Sequence, residues 1–236
     1  MTKRQIYAIG DNGFRSHPEV TALFRHLVQS THQVKPRVCL IPTASGDDQA
    51  YMDSFDRMFG QFDCQITHLS LFRGENENLA EILLNQDLIY VSGGNTRNML
   101  VLWKEWGVDV ILKEAYQRGI ILAGGSAGSL CWFSSGVTDS IPGRFSSMPC
   151  LGFLSESHCP HYDELTRRPY FLNAVKTREL QDGIAAENGV ALHFVNEVFQ
   201  EALSAYPDRN AYRVTLNHDS IMETKIKARQ VFAASS

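Results

Sequence analysis

Several kinds of pattern are missing from this chain, and each absence bears on a class of function. No two of its five cysteines (Cys39, Cys64, Cys131, Cys150, Cys159) fall in a CxxC pair. An odd, scattered set of thiols suggests neither a zinc site nor a disulfide framework. No basic stretch with interleaved aromatics occurs, and the formal net charge is −4. Nucleic acid is therefore not an expected partner. No apolar run approaches membrane-spanning length, so no membrane partner is expected. Residues 1–4 lead straight into a strand, so no signal peptide is expected either, and a reduced, cytoplasmic protein is the working expectation. No loop matches GxxxxGK[ST] or a full GxGxxG, which leaves a nucleotide site weakly supported.

What is present is ordinary in amount and distinctive in order. The 236 residues are 44% hydrophobic and 20% charged, enough to bury a full core. Through the first 135 residues, short apolar runs alternate with segments of helical spacing. The runs lie near residues 5–9, 37–41, 65–69, 87–92 and 120–125. They are continuous rather than alternating in polarity, which predicts a mostly parallel sheet covered on both faces, a doubly wound α/β arrangement. Asp47 or Asp48 is placed to cap the second helix. The turns after runs one, two, four and five carry Gly10 and Gly13, Gly46, Gly93 and Gly94, and Gly124 and Gly125. In a doubly wound sheet these turns share the carboxyl edge, where ligands bind.

Beyond residue 133 the texture changes. Residues 134–143 read as loop. A compact cluster follows, Ser157-His158-Cys159-Pro160-His161-Tyr162-Asp163, and Pro169 is suited to open a helix. The dipeptide Asn188-Gly189 between two apolar runs predicts a hairpin, and residues 202–216 predict a second around the turn 207–210. The whole, 1–236, is expected to be one α/β domain with an antiparallel C-terminal hairpin extension.

The sequence turns on Gly124-Gly125-Ser126-Ala127-Gly128-Ser129. An apolar strand breaks at two glycines, a serine follows, and small residues precede a second apolar segment. A nucleophile elbow requires this strand–turn–helix pattern. A glycine-rich turn with an incidental serine is the plainer alternative. A serine nucleophile needs a base, and histidine suits best. Of eight histidines, His17, His26 and His32 lie on or beside the first helix. His68 and His193 are in strands, and His218 is near the C-terminus. His158 and His161 lie in the loop-like cluster, and His161, stiffened by Pro160, is favoured. The orienting acid is Glu187 at the hairpin end, with Asp139 the competitor. Ala127, after the nucleophile, and Gly94, at a neighbouring strand end, are the expected oxyanion donors.

Gly93-Gly94-Asn95-Thr96, Gly124-Gly125-Ser126-Ala127-Gly128, Pro160-His161-Tyr162 and Glu187-Asn188-Gly189, in this order and at these distances, resemble peptidase E, the aspartyl dipeptidase family of serine peptidases. The resemblance covers nearly the whole chain. It implies a flavodoxin-like fold related to the class I glutamine amidotransferases. It also implies hydrolysis of Asp-Xaa dipeptides without a metal or other cofactor, with Ser126 as nucleophile, His161 as base, Glu187 or Asp139 as third member, and Gly94 and Ala127 as oxyanion hole. Ser129 stands where the family often has alanine. For the substrate's aspartyl carboxylate, Arg167 and Arg168 are the candidates, against the plainer reading of a solvated charged turn. The small peptide is the one expected partner, and a homodimer is left open. Two rivals are a cyanophycinase-like peptidase acting on β-aspartyl-arginine material and a binding module that keeps the fold without the chemistry.

Overall fold

The structure, a computed structural model, describes residues 2–11, 20–72 and 78–232. His17, the Pro18-Glu19 helix opening, Gly13 and most of the polar turn before residue 78 lie outside the described residues. The elements of the first half follow the apolar runs. They are β1 (Gln5–Ile9), α1 (Thr21–Gln29), β2 (Arg37–Ile41), α2 (Gln49–Phe59), β3 (Gln65–His68), α3 (Leu79–Leu84), β4 (Leu88–Val91), α4 (Thr96–Trp106), α5 (Val108–Gln117), β5 (Ile121–Gly125) and the single turn α6 (Ala127–Leu130). Asp48, not Asp47, caps α2 by accepting from the Tyr51 N–H, and Asn95 caps α4 through the Asn98 N–H.

Five of these strands pair in parallel in the order β1-β5-β4-β2-β3. Their side chains alternate between two cores. Ile6, Ala8, Cys39, Ile41, Ile89, Val91 and Leu122 face one, with Met99, Trp103 and Leu112 of α4 and α5. Tyr7, Ile9, Val38, Leu40, Leu88, Tyr90 and Ile121 face the other, under Leu23 and Phe24 of α1 and Phe55 and Phe59 of α2. A strand buried on both faces must be apolar along its length, which is why β1, β2, β4 and β5 do not alternate in polarity, while the edge strand β3 is half-exposed and mixed.

The second half departs from the sequence reading. Residues 134–143 are not a loop: β6 (Phe133–Ile141) and β7 (Arg144–Pro149) form an antiparallel pair. In β6 the Ser134 hydroxyl donates to the Glu156 carbonyl and the Thr138 and Ser140 hydroxyls bond each other, while the buried hydroxyls of Ser146 and Ser147 in β7 have no partner among the described residues. His158 lies in β8 (Leu154–Cys159) rather than in a loop. Helix α7 (Arg167–Lys176) begins two residues before Pro169, which its first turn accommodates.

Neither predicted hairpin forms. The strands flanking Asn188-Gly189, β9 (Gly183–Ala186) and β10 (Val190–Val195), enter different sheets. The next pair, β11 (Val198–Ser204) and β12 (Asn210–Asn217), does the same. Strand β10 runs antiparallel to β1 and to β11, and β11 carries the short β14 (Arg229–Gln230) at the edge of an eight-stranded sheet. Strand β9 lies between β8 and β12 in a six-stranded sheet, β13-β12-β9-β8-β6-β7, with β13 (Ser220–Lys227) at its rim. Both β9 and β10 are buried along nearly their whole lengths, and each gains two neighbours by parting. The turn itself is real: the Val190 N–H donates to the Glu187 carbonyl, and Gly189 has φ +78°. It serves as the hinge where the chain leaves one sheet for the other. Phe133, Leu154, Ile184, Ala186 and Ala211 of the second sheet join the same core as Ile6 and Ile41 of the first.

Candidate active site

The carboxyl ends of β1, β5 and β4 meet at Ser126. The serine has φ +55° and ψ −112°, an uncommon conformation for a residue with a side chain, and its N–H donates to the Ile9 carbonyl of β1. The flanking glycines are required by close backbone approach. A Cβ on Gly124 would stand 2.3 Å from the Gly128 carbonyl oxygen, and one on Gly128 would stand 2.2 Å from that of Val91 in β4. Larger residues would push α6 away from the sheet and take the serine with it. The pattern glycine-x-serine-x-glycine therefore reports packing as well as chemistry.

His161 is brought over Ser126 by main-chain bonds. Its N–H donates to the Gly10 carbonyl at the end of β1, and the Tyr162 N–H donates to the Ala186 carbonyl at the end of β9. His161 also has positive φ, +53°. Its Nε2 lies 2.8 Å from the Ser126 Oγ, and its Nδ1 lies 2.7 Å from Oδ1 of Asn188. An amide oxygen only accepts, so Nδ1 carries the proton and Nε2 offers its lone pair to the serine hydroxyl. This is the tautomer a general base requires.

The residue behind the imidazole is thus Asn188 and not Glu187. The Glu187 carboxylate turns the other way, accepting from the Asn210 N–H at 2.8 Å and the Tyr212 hydroxyl at 3.1 Å. The divergence of β9 and β10 sets this: the first side chain beyond β9, Glu187, stays with the second sheet, and the next, Asn188, faces His161. Asp139 does not reach the histidine either. It is largely exposed and pairs with Arg167. Glu164 comes within 4.0 Å of Nδ1, while its carboxylate accepts from Nε of Arg167.

Both expected arginine forks are occupied by the chain's own acids. Arg167 is 4% exposed, held by Glu164 and Asp139, and lies over the Phe145 ring. Arg168 grips Glu223 with two donors, Nε and Nη2, and lies against the Tyr162 and Tyr212 rings. These ion pairs fasten α7 to β6 and β13. Both guanidinium groups expected at the substrate's carboxylate thus have acids of the chain as partners.

His158, the rejected alternative base, has a role behind the elbow. It is fully buried, stacks on Phe133, and donates from Nδ1 to the Ile184 carbonyl. Burial lowers its pKa to about 3. The Ser129 hydroxyl stands 3.1 Å from its Nε2 and 2.8 Å from the Ser126 carbonyl oxygen. Ser129 is thereby tied to the elbow from below.

Gly94 lies in the turn that follows β4. It has φ +136°, and a Cβ there would fall 2.0 Å from the Ala44 carbonyl oxygen. Ala127 is the first residue of α6. Among the described residues, neither N–H is given an acceptor by the turn that carries it. No cluster of three or more metal-ligating side chains occurs among those residues, and no described helix is long and apolar enough to cross a membrane.

The model of peptidase family S51 matches residues 6–202. The chain belongs to peptidase family S51. The uncharacterized peptidase YgaJ of Bacillus subtilis (strain 168) is 44% identical over 227 residues, covering 96% of this chain and 98% of that protein. The uncharacterized peptidase Lin0382 of Listeria innocua is 25% identical over 158 residues, 64% of this chain and 75% of that protein. Two solved structures share the fold. A peptidase from an acI-B1 actinobacterium has a TM-score of 0.70 at 16% identity, covering 95% of this chain and 94% of its own. A putative peptidase E from Listeria monocytogenes EGD-e has a TM-score of 0.60 at 17% identity, covering 96% and 100%. The S51 chain is therefore a peptidase of the peptidase E family, on a flavodoxin-like α/β fold.

Asn188 is the residue of this S51 site that sequence reasoning missed. Its placement in the Asn-Gly turn read as turn chemistry alone. A second network lies behind it. Asp163 accepts the Asn188 N–H at 2.9 Å and pairs with Arg209.

Proposed function

We propose that the chain is a serine peptidase that hydrolyses the bond after an N-terminal aspartyl residue of short peptides, Asp-Xaa, through an acyl-enzyme. The observation that carries this reading is the 2.8 Å approach of His161 Nε2 to a serine on a strained elbow, with Asn188 on the opposite ring nitrogen. Ser126 Oγ attacks the carbonyl carbon as His161 takes its proton. The tetrahedral oxyanion accepts from the N–H groups of Ala127 and Gly94. His161 then protonates the leaving amine, the C–N bond breaks, and water, deprotonated by the same imidazole, releases the acid. Asn188 keeps the imidazole in the productive tautomer. It lacks the charge that a carboxylate would set against the imidazolium. The aspartyl preference rests on the resemblance of the sequence motifs to peptidase E. A cytoplasmic location accords with five unpaired thiols.

Ser126→Ala tests the chemistry. Turnover should vanish, with the far-UV spectrum unchanged, and labelling by a fluorophosphonate probe should be lost. Full activity in that variant would overturn the mechanism. A panel of dipeptides differing only in the first residue tests specificity. Equal rates across the panel would remove the aspartyl clause and leave the serine peptidase.

A further inference from the structure

We infer that Glu164 is a positioning residue for the His161 base, holding against its imidazolium the negative charge that Asn188 does not carry. This rests on the reading of Ser126 and His161 as nucleophile and base. One carboxylate oxygen of Glu164, Oε1, lies 4.0 Å from His161 Nδ1. That is too long for a hydrogen bond, and Nδ1 already donates to Asn188 Oδ1 at 2.7 Å. What Glu164 offers the ring is therefore charge at short range.

The chain fixes the carboxylate in this place. The Glu164 N–H donates to the His161 carbonyl, closing a turn that brings residue 164 back beside the histidine. The second oxygen, Oε2, accepts from Nε of Arg167 at 2.8 Å. Arg167 is almost fully buried, and its Nη2 donates to Asp139 at 2.9 Å. Two acids and one arginine sum to one negative charge. Arg167 thus orients Glu164 while Asp139 offsets the guanidinium. Asp163, the other acid of the turn, is placed differently. It lies behind Asn188, accepting its N–H, and its charge is matched by Arg209.

The chemistry sets when this charge acts. Before reaction the imidazole is neutral and gains little from a carboxylate. As Ser126 Oγ bonds to the carbonyl carbon, the hydroxyl proton passes to Nε2 and the ring becomes a cation, its charge spread over both nitrogens. A carboxylate near Nδ1 stabilises that cation and not the resting ring, so its effect belongs in kcat rather than KM. The Glu164 side chain is 42% exposed, and screening by water keeps the effect modest.

Glu164→Gln tests this, since it keeps the shape and an oxygen for Arg167 but removes the charge. For the fastest substrate of the dipeptide panel, kcat should fall about 3- to 20-fold with KM within about two-fold of wild type. The labelling rate of Ser126 at saturating fluorophosphonate should fall by a similar factor, and Glu164→Asp should recover part of both. Asn188→Asp places a carboxylate directly on Nδ1. In that background Glu164→Gln should cost less than about two-fold, whereas a merely structural Glu164 would cost the same factor in both. Equal cost in the two backgrounds, or wild-type kcat and labelling in Glu164→Gln, would overturn the inference. A wild type whose Ser126 takes no label would instead overturn the nucleophile on which the inference rests, and so is told apart from a failure of Glu164 alone.

Discussion

The exchange of Glu187 for Asn188 behind the histidine separates two properties that a carboxylate would combine. An amide oxygen fixes the tautomer but adds no negative charge, so its contribution is orientation. Asn188→Ala should lower kcat by about 10²- to 10⁴-fold and move KM little, since it removes what positions the base and leaves the substrate's contacts alone. Glu187→Ala should do the reverse. It strips the acceptor from the Asn210 N–H, which is 5% exposed, and should cost about 1–3 kcal/mol of stability while kcat stays within a few-fold of wild type. Steady-state kinetics and urea unfolding on the two variants check both statements. If Glu187→Ala loses kcat and Asn188→Ala does not, the hydrogen bond to His161 is not the one catalysis uses.

At the scale of elements, what could be read from the chain depended on how far each signal reaches. Four of the parallel strands, β1, β2, β4 and β5, announced themselves because burial on both faces demands continuous apolar runs, and the helices between them because their apolar positions recur at helical spacing; the edge strand β3 is half-exposed and mixed in polarity. Ser126, Gly94 and Ala127 were legible for the same reason, since each stands at the end of such a strand. The six-stranded sheet was not. Strand β6 is interrupted by Ser134, Ser135, Thr138 and Ser140, and its pairing with β8 is non-local. Asn188-Gly189 showed a turn but not its destination, and that destination decides which neighbour of the turn faces His161. The close approaches at the elbow give the element-scale prediction. Gly128→Ala sets a Cβ 2.2 Å from the rigid Val91 carbonyl and should cost on the order of 1–3 kcal/mol, with kcat falling as α6 shifts. Gly60→Ala, which has open space and a helical backbone at the end of α2, is the control and should be neutral or slightly stabilising in thermal unfolding. Equal losses in the two would argue against tight seating of the elbow.

The molecule as a whole stores a pH dependence in histidines outside the proposed chemistry. Burial lowers His158 to about 3 and His193, stacked on Tyr7, to about 4, against 6.5 for an unperturbed imidazole. Between those values and about 6.5 the unfolded chain binds protons that the folded chain refuses. Stability therefore rises with pH in this window and is lost as pH falls through it, by up to about 1.4 kcal/mol per unit for each group. The carboxylates add their loss lower down. Glu201 is held below its ordinary range by the bond from Arg229, and Asp87, despite burial that opposes it, by Arg37. The interval from pH 6.5 to 5 thus belongs to the buried imidazoles. Urea unfolding across it should show a falling midpoint with little change in m, and His158→Gln should flatten the slope in part, since His193 and His26, which burial also lowers, supply the rest. A midpoint constant from pH 6.5 to 5, or a slope untouched by that variant, would mean that His158 accepts a proton inside the folded core. The ties among His158, Ser129 and the elbow would then have to be redrawn with an imidazolium behind the nucleophile.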